Sequence, residues 1–463
     1  MVNMKEKPFY LSDEDCKWVE DTIAGMTVDE KIGQLFFNMG SSREEDYLKM
    51  TVEKYHIGGI RYNPATADDV YEQNRILQEN SKIPLIIACN TENGGDGACV
   101  DGTTIGCQTK IGATGNVEYA YNLGYMSNKE AAAIGCNLSF APVSDILYNW
   151  ENPVIGLRTY GNDVDRVAGM TKAYLDGAHA NPGFCCAAKH FPGDGIDFRD
   201  QHVANSVNTF SCEEWDATFG KVYQNLIDNG LEAIMAGHIM QPAYTRYFNP
   251  DIRDDDIMPA TLSPELIDGL LRKKLGFNGM VLTDASHMVG MTCRMKRSDI
   301  LPAAIAAGID MFLFFNDMDE DFASMKQGYL DGRITEETQQ EVMTELQAHF
   351  RPEFLNRLDE TILFKPLTKD NIGGIISLIL ADINRRLADR ELRIEITERA
   401  RHFIAENGYD PVYGARPLKR YIQKYVETLA ARLILADQVR AGDVIRIDLD
   451  GTASELVADT KRG

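Results

Sequence analysis

The chain has 463 residues, of which 44% are hydrophobic, and a formal net charge of −23 at neutral pH. That length accommodates two or three domains with cores of their own. The acidic balance argues against a nucleic-acid partner, which would call for a basic face, and no apolar run approaches the roughly 18–20 residues that cross a bilayer, so no membrane partner is expected.

The first residues, MVNMKEKPFYLSDEDCKW, have no apolar core, and no signal peptide is expected there. From residue 30 to residue 316 short apolar runs recur: IGQLFFN, GGIRYN, PLIIACN, NLSFAPVSD, FCCAAKH, LEAIMAGH, GMVLTD and DMFLFFN. They are continuous rather than alternating, as in strands buried on both faces of a parallel sheet. Helical stretches separate them, at Ala67–Glu79, Val117–Ala133, Val164–Ala180, Cys212–Asn229 and Ser263–Leu275. Strand and helix alternating eight times predict an α/β fold, a (β/α)8 barrel of the TIM type over residues 1–337.

In such barrels the chemistry lies at the C-terminal ends of the strands. Those ends carry Asn38, Asn63, Asn90 with Glu92, Asp145, Lys189 with His190, His238, Asp284 and Asn316. The asparagines at 38, 63 and 316 need mark no more than strand ends. Lys189, His190, His238 and Asp284 directly follow apolar strands and point to a working mouth. The loop KHFPGDGIDFRDQH, residues 189–202, adds Asp200 and His202 two residues apart. Retaining glycoside hydrolysis needs a nucleophile and a separate acid/base group. A histidine on a mobile loop, oriented by a carboxylate, can be that acid/base group. A metal site of His190, His238 and His287 is disfavoured, because no HxH or HExxH spacing accompanies it. A phosphate-binding barrel is disfavoured for want of a glycine-rich turn after the last two strands. His56, His179 and His402 read as ordinary histidines. No cofactor and no metal is expected. Nine irregularly spaced cysteines without paired CxxC motifs suit reduced thiols in the cytoplasm.

The stretches LTDASHM, KHFPG, FAPVSDI and IGLRTYG, over roughly residues 24–337, resemble glycoside hydrolase family 3, and the D-x-H loop resembles its NagZ-like β-N-acetylglucosaminidase branch. The resemblance implies Asp284 as the nucleophile, His202 as the acid/base and Asp200 as its orienting partner. It also implies sugar contacts from Arg158, Lys189 and His190, and a structural or hydroxyl-binding Asp145; Glu92 and His238 join the expected substrate-binding set. The substrate class implied is a small carbohydrate, a β-N-acetylglucosaminide, with other β-sugars and phosphate as an alternative acceptor left open. Two departures stand out. Asp194 and Ile196 replace the His and Asp of FPGHGDT, and Asn90 replaces the first acid of D-x-E-G-G.

Residues 341–463 change character. They carry 20 acids against 19 bases, whereas residues 1–340 carry 50 against 28. EVMTELQAHF aligns Val342, Leu346 and Phe350 on one helical stripe. Helices are expected at Lys369–Asp389, at Thr397–Glu406 and up to about Ala436, and AGDVIRIDLDG alternates as a strand. HFRPEFLNRLDE and GYDPVYGARPLKR, within Val342–Asp450, resemble the end of the second AAA+ module of the ClpB disaggregase. That resemblance implies an arginine finger at Arg357 and a sensor arginine at Arg416, and oligomerisation through this segment. No GxxxxGK[ST] motif occurs, so no ATPase activity is expected. The expected layout is a barrel at 1–337, a junction at 338–366 in which 337–350 stand in for a closing helix, and a mostly helical α+β small domain at 367–463. The junction lacks a linker and reads as that of a chimera. The rival readings are a ClpB-type assembly module with a passive barrel, and a chimera without activity.

Overall fold

The computed structural model describes residues 2–334 and, in the C-terminal part, most of 376–388 and 392–408, then 421–436, 438–450 and 456–461. The chain forms two compact units, Met1–Leu358 and Asp359–Gly463. EVMTELQAHF, Arg351, Arg357, Arg416 and the proposed closing helix at 337–350 lie outside the described residues.

In the first unit the strands are β1 (Phe36–Met39), β2 (Gly59–Arg61), β3 (Ile86–Cys89), β4 (Leu138–Ser139), β5 (Cys185–Phe191), β6 (Ser206–Val207), β7 (Ala233–Ala236), β8 (Ile239–Met240), β9 (Met280–Thr283) and β10 (Phe312–Leu313). Eight of them form one parallel sheet in the order β10-β1-β2-β3-β4-β5-β7-β9. A parallel bridge between Leu282 and Met311 joins the two outer strands, so the sheet curls into a barrel. Each of the eight apolar runs supplies one strand. The runs are continuous because both faces are covered: Ala187, Ala188, Ile234, Val281 and Leu282 are all wholly buried.

Helices fill the connections. Val117–Ala133 forms as expected from the sequence, and Ala67–Asn80 and Val164–His179 end within a residue of expectation. Two helices before β1, Asp13–Ala24 and Val28–Gln34, open with capping boxes at Ser12/Asp15 and Thr27/Glu30. The first of them packs Cys16, Val19 and Ile23 into the barrel core.

The strands β6 and β8 pair in parallel outside the barrel. They tie the long loop after β5 to the segment after β7. That loop begins at Gly193 and Gly195, with φ of +120° and +101°. A Cβ at Gly193 would lie 2.2 Å from the Phe219 ring, and one at Gly195 would lie 2.2 Å from the Ile146 carbonyl. Only glycine allows this path.

The second unit holds a three-stranded sheet, β11 (Arg393–Ile396), β12 (Val444–Leu449) and β13 (Leu456–Lys461). β11 runs parallel to β12, and β13 antiparallel. Helices at Glu398–Gly408 and through 421–435 pack on it, with Ile394, Ile404, Ile422, Val426, Ile445 and Ile447 in the core. The expected helix at Thr397–Glu406 and the strand in AGDVIRIDLDG are both present.

Candidate active site

The C-terminal ends of the barrel strands surround a cavity of about 270 Å³. Glu92, Arg158, Lys189, His190, His202 and Asp284 all line it. Residues up to 192 positions apart in the chain thus meet in one place, as the strand-tip reading requires.

Asp284 follows β9 directly. Its backbone N–H donates to the Ala236 carbonyl at 2.8 Å, which ties the strand tip to β7. One carboxylate oxygen accepts from the Ala285 N–H at 2.7 Å; the other lies 3.8 Å from His190 Nε2. Burial pushes this carboxyl up, but His190, the Ala285 amide and Lys189 outweigh it and hold Asp284 below the usual Asp range. It is therefore ionised at neutral pH, as a nucleophile must be.

His190 is fixed from behind. Its Nδ1–H donates to Asp145 at 2.7 Å, and its backbone N–H also points at that carboxylate. Asp145 is wholly buried and additionally accepts from the Asp194 N–H at 2.7 Å. Of the two roles expected for Asp145, the geometry matches the structural one. It sets the His190 ring and does not line the cavity.

Glu92 gathers two cations. Arg158 donates to it through Nε and Nη2, each at 2.9 Å, and Lys189 Nζ lies 2.6 Å from the same carboxylate. The paired guanidinium geometry is the strong form of this contact. Burial opposes the charge on Glu92, yet the two cations hold its carboxyl far below the usual range. Burial lowers the Lys189 pKa despite Glu92. The three expected sugar-binding groups therefore brace one another in the cavity wall.

His202 is more than half exposed and donates from Nδ1 to Asp200 at 2.7 Å, leaving Nε2 for proton exchange. The His/Asp pair forms as expected, on a loop that hydrogen bonds tie to its surroundings. The residue between them, Gln201, is buried, and its side chain bonds at both ends. Its Nε2 donates to Asp194 at 2.6 Å, and its Oε1 accepts from the His238 N–H at 2.7 Å. The Gln201 and His202 carbonyls accept from the Gly290 and Val289 amides at 2.9 and 3.1 Å.

His238 differs from its expected substrate-binding place. It is wholly buried and does not line the cavity. Its Nε2–H donates to the Ala285 carbonyl and its Nδ1 accepts from the Thr261 hydroxyl, both at 3.0 Å. Burial holds its pKa below the usual value, so the ring is neutral. It steadies the peptide after Asp284. With His190 held by Asp145, the three-histidine arrangement does not form, and among the described residues no group of three His, Cys, Asp or Glu could hold a metal ion.

The description "Glycosyl hydrolase family 3 N terminal domain" fits residues 27–348, well over half of the chain. The chain belongs to glycosyl hydrolase family 3. A family 3 relative, the "Beta-N-acetylglucosaminidase/beta-glucosidase" of Cellulomonas fimi, is 41% identical over 348 residues, covering 75% of this chain and 62% of its own. This family 3 chain thus spans about three fifths of that relative. A solved "Beta-glucoside phosphorylase BglX bound to 2FGlc" matches with a TM-score of 0.75 at 39% identity, covering 78% of this chain and 65% of that one. A family 3 β-N-acetylglucosaminidase structure from Paenibacillus, at 23% identity and a TM-score of 0.66, shares the fold over 92% of this chain and 86% of its own. Residues 367–447 match the C-terminal, D2-small domain of ClpB. The ClpB chaperone of Bacillus cereus is 49% identical over 131 residues, which are 28% of this chain and 15% of that protein.

Within this family 3 site, sequence reasoning missed Gln201 and Arg61. Gln201 carries no charge signal. Arg61 did carry one, a cation ending an otherwise apolar strand in GGIRYN. Asp194, one of the departures from the family pattern, is buried and accepts from Asn152, Gly195 and Gln201. Its carboxylate joins the loop after β4 to the loop that carries His202.

Proposed function

We propose that the barrel is a retaining β-glycosidase acting on β-N-acetylglucosaminides and β-glucosides. The observation that carries this reading is the pairing of an ionised, partly exposed Asp284 with an Asp200-oriented His202 around one cavity. The Asp284 carboxylate attacks the anomeric carbon while His202 Nε2–H protonates the departing oxygen. The glycosyl ester on Asp284 is then released by water, whose proton returns to His202. The printed name of the Cellulomonas fimi relative supports the substrate class. Arg158 retains Nη1 for a sugar hydroxyl, since Nε and Nη2 are committed to Glu92.

A second acceptor is favoured by the likeness to the β-glucoside phosphorylase. Phosphate would take the place of water, its oxygen attacking the anomeric carbon and releasing a sugar 1-phosphate. A neutral histidine base does not repel an incoming phosphate, whereas a carboxylate base would. The nine cysteines are free thiols, which suits a cytoplasmic setting. No helix among the described residues is long and apolar enough to cross a membrane. We assign the ClpB-like unit no catalytic part and propose it as a contact module for self-assembly.

The test is turnover of nitrophenyl β-glycosides by the full chain and by Asp284→Asn, with and without inorganic phosphate. The reading expects release of nitrophenol that vanishes in the variant. Sugar 1-phosphate among the products would identify phosphorolysis. Equal rates for the two proteins would end the proposal.

A further inference from the structure

One cation in the cavity wall has no ion-pair partner among the described residues, and Glu92 acts on it only at a distance. Arg61 ends β2, lines the cavity, and is largely buried. Its Nη1 reaches only the Met39 sulfur at 3.4 Å. Its Nε is buried without any hydrogen-bond partner. No ion pair to Arg61 exists among the described residues, whereas Arg158 and Lys189 share Glu92, His190 has Asp145 and His202 has Asp200. A guanidinium held this way is costly unless something completes it.

The balance of the cavity points the same way. Arg61, Arg158 and Lys189 face two carboxylates, Glu92 and Asp284. Beside Arg61, at the tip of the adjoining strand β3, sits Asn90, whose side chain also lines the cavity and makes no hydrogen bond among the described residues. An amide there can donate to an anion, where a carboxylate would repel one.

The topology locates this pair relative to the reacting bond. In the ring of eight strands β2 lies three positions from β9, almost across the mouth from Asp284. A phosphate acceptor must approach the anomeric carbon beside Asp284 and His202, on the other side of the mouth from β2. A sugar whose anomeric carbon sits at Asp284 presents its far side to Arg61. O4 lies directly across the ring from that carbon, and the C6 arm beside it, with one more rotatable bond, carries a substituent further out.

We propose that Arg61 and Asn90 form a binding site for an anionic substituent on C6 of the glycone, a phosphate ester or a carboxylate. The proposal rests on Asp284 marking the reacting end of the sugar. Hydroxyls of a neutral sugar could fill the hydrogen bonds of Arg61 but would leave its charge uncompensated. An anion does both, and the bond it makes is of the stronger, charge-assisted kind.

The test is calorimetric titration of the full chain with glucose, glucose 6-phosphate and glucuronate, repeated with Arg61→Leu and Arg61→Lys. Leucine suits an apolar strand, and unchanged melting would show that the variant folds. The expected result is at least about tenfold tighter binding of one anionic sugar than of glucose, abolished in Arg61→Leu, partly kept in Arg61→Lys, and weakened by salt. Tighter binding of glucose 6-phosphate would identify the phosphate ester, and of glucuronate the carboxylate. Glucose binding as well as or better than both anionic sugars would overturn the proposal, as would equal losses for all three sugars in Arg61→Leu. Binding is read without turnover, so a failed glycosidase assay would not be confused with a failed anion site.

Discussion

Gln201→Ala tests whether the acid/base loop is positioned or merely present. The substitution removes two side-chain bonds, Nε2–H to the buried Asp194 carboxylate at 2.6 Å and the His238 N–H to Oε1 at 2.7 Å. The first is charge-assisted, worth about 1.5–3 kcal/mol, and the second about 0.5–1.5 kcal/mol. Together they amount to about 2–4.5 kcal/mol, or roughly a 30- to 2000-fold shift toward the released loop. The backbone bonds from Val289 and Gly290 remain and absorb part of that shift. We expect kcat/KM to fall ten- to hundredfold, as an order of magnitude, for alkyl β-glycosides, whose leaving groups need a proton. For dinitrophenyl glycosides, which leave unaided, the loss should stay within about threefold. The parameter kcat/KM is the right readout because it reports bond cleavage and not release of the intermediate. A uniform loss across leaving groups, or none at all, would refute the positioning argument.

Four further outcomes are expected. Asp284 is held below the usual Asp value of about 3.9, so kcat/KM should keep its full value down to that region and fall only as pH drops through the lower, folded-state pKa. Lys189→Met removes one of the cations that hold it down and should move this acid limb to higher pH; a limb that stays in place would show that Lys189 does not act on Asp284. Glu92→Gln strips the counter-charge from Arg158 and Lys189 and should cost about 3–5 kcal/mol in denaturant unfolding at pH 7. Because the Glu92 pKa is depressed, that stability is present above the unfolded value of about 4.3 and is lost as pH falls through the folded one, so wild type and variant should converge in strong acid. Ile447→Ala, in the core of the second unit, should destabilise that unit by about 2–5 kcal/mol while leaving glycoside kcat/KM unchanged.

The barrel was legible because strands buried on both faces read as unbroken apolar runs, and their polar last residues mark one rim. FCCAAKH and GMVLTD gave both a strand and its working tip in this way. Whether each tip faces the cavity or lies behind it was not legible. Lys189 and Asp284 face it, while Asp145 and His238 brace it from within the core, through His190 and Ala285, 45 and 47 residues away. Gln201 was invisible because its bonds reach Asp194 and His238, seven and 37 residues away, and a neutral amide in a loop stands out in no pattern. In the second unit β12 alternates over six residues and was found. β11, four residues of RIEI, is too short to be read alone, and β13, LVADTK, is too polar; they become strands through pairing with β12.

The central claim is that Asp284 becomes covalently attached to the sugar. Intact-mass spectrometry of the full chain after incubation with an activated 2-deoxy-2-fluoro-β-glucoside tests it most directly, since fluorine slows both formation and release of the ester and the activated leaving group restores its formation. The account predicts a mass gain of one fluoroglucosyl group, mapped to the peptide that contains Asp284 and absent from Asp284→Asn. Label on any other residue, or glycoside turnover without label on Asp284, would contradict it.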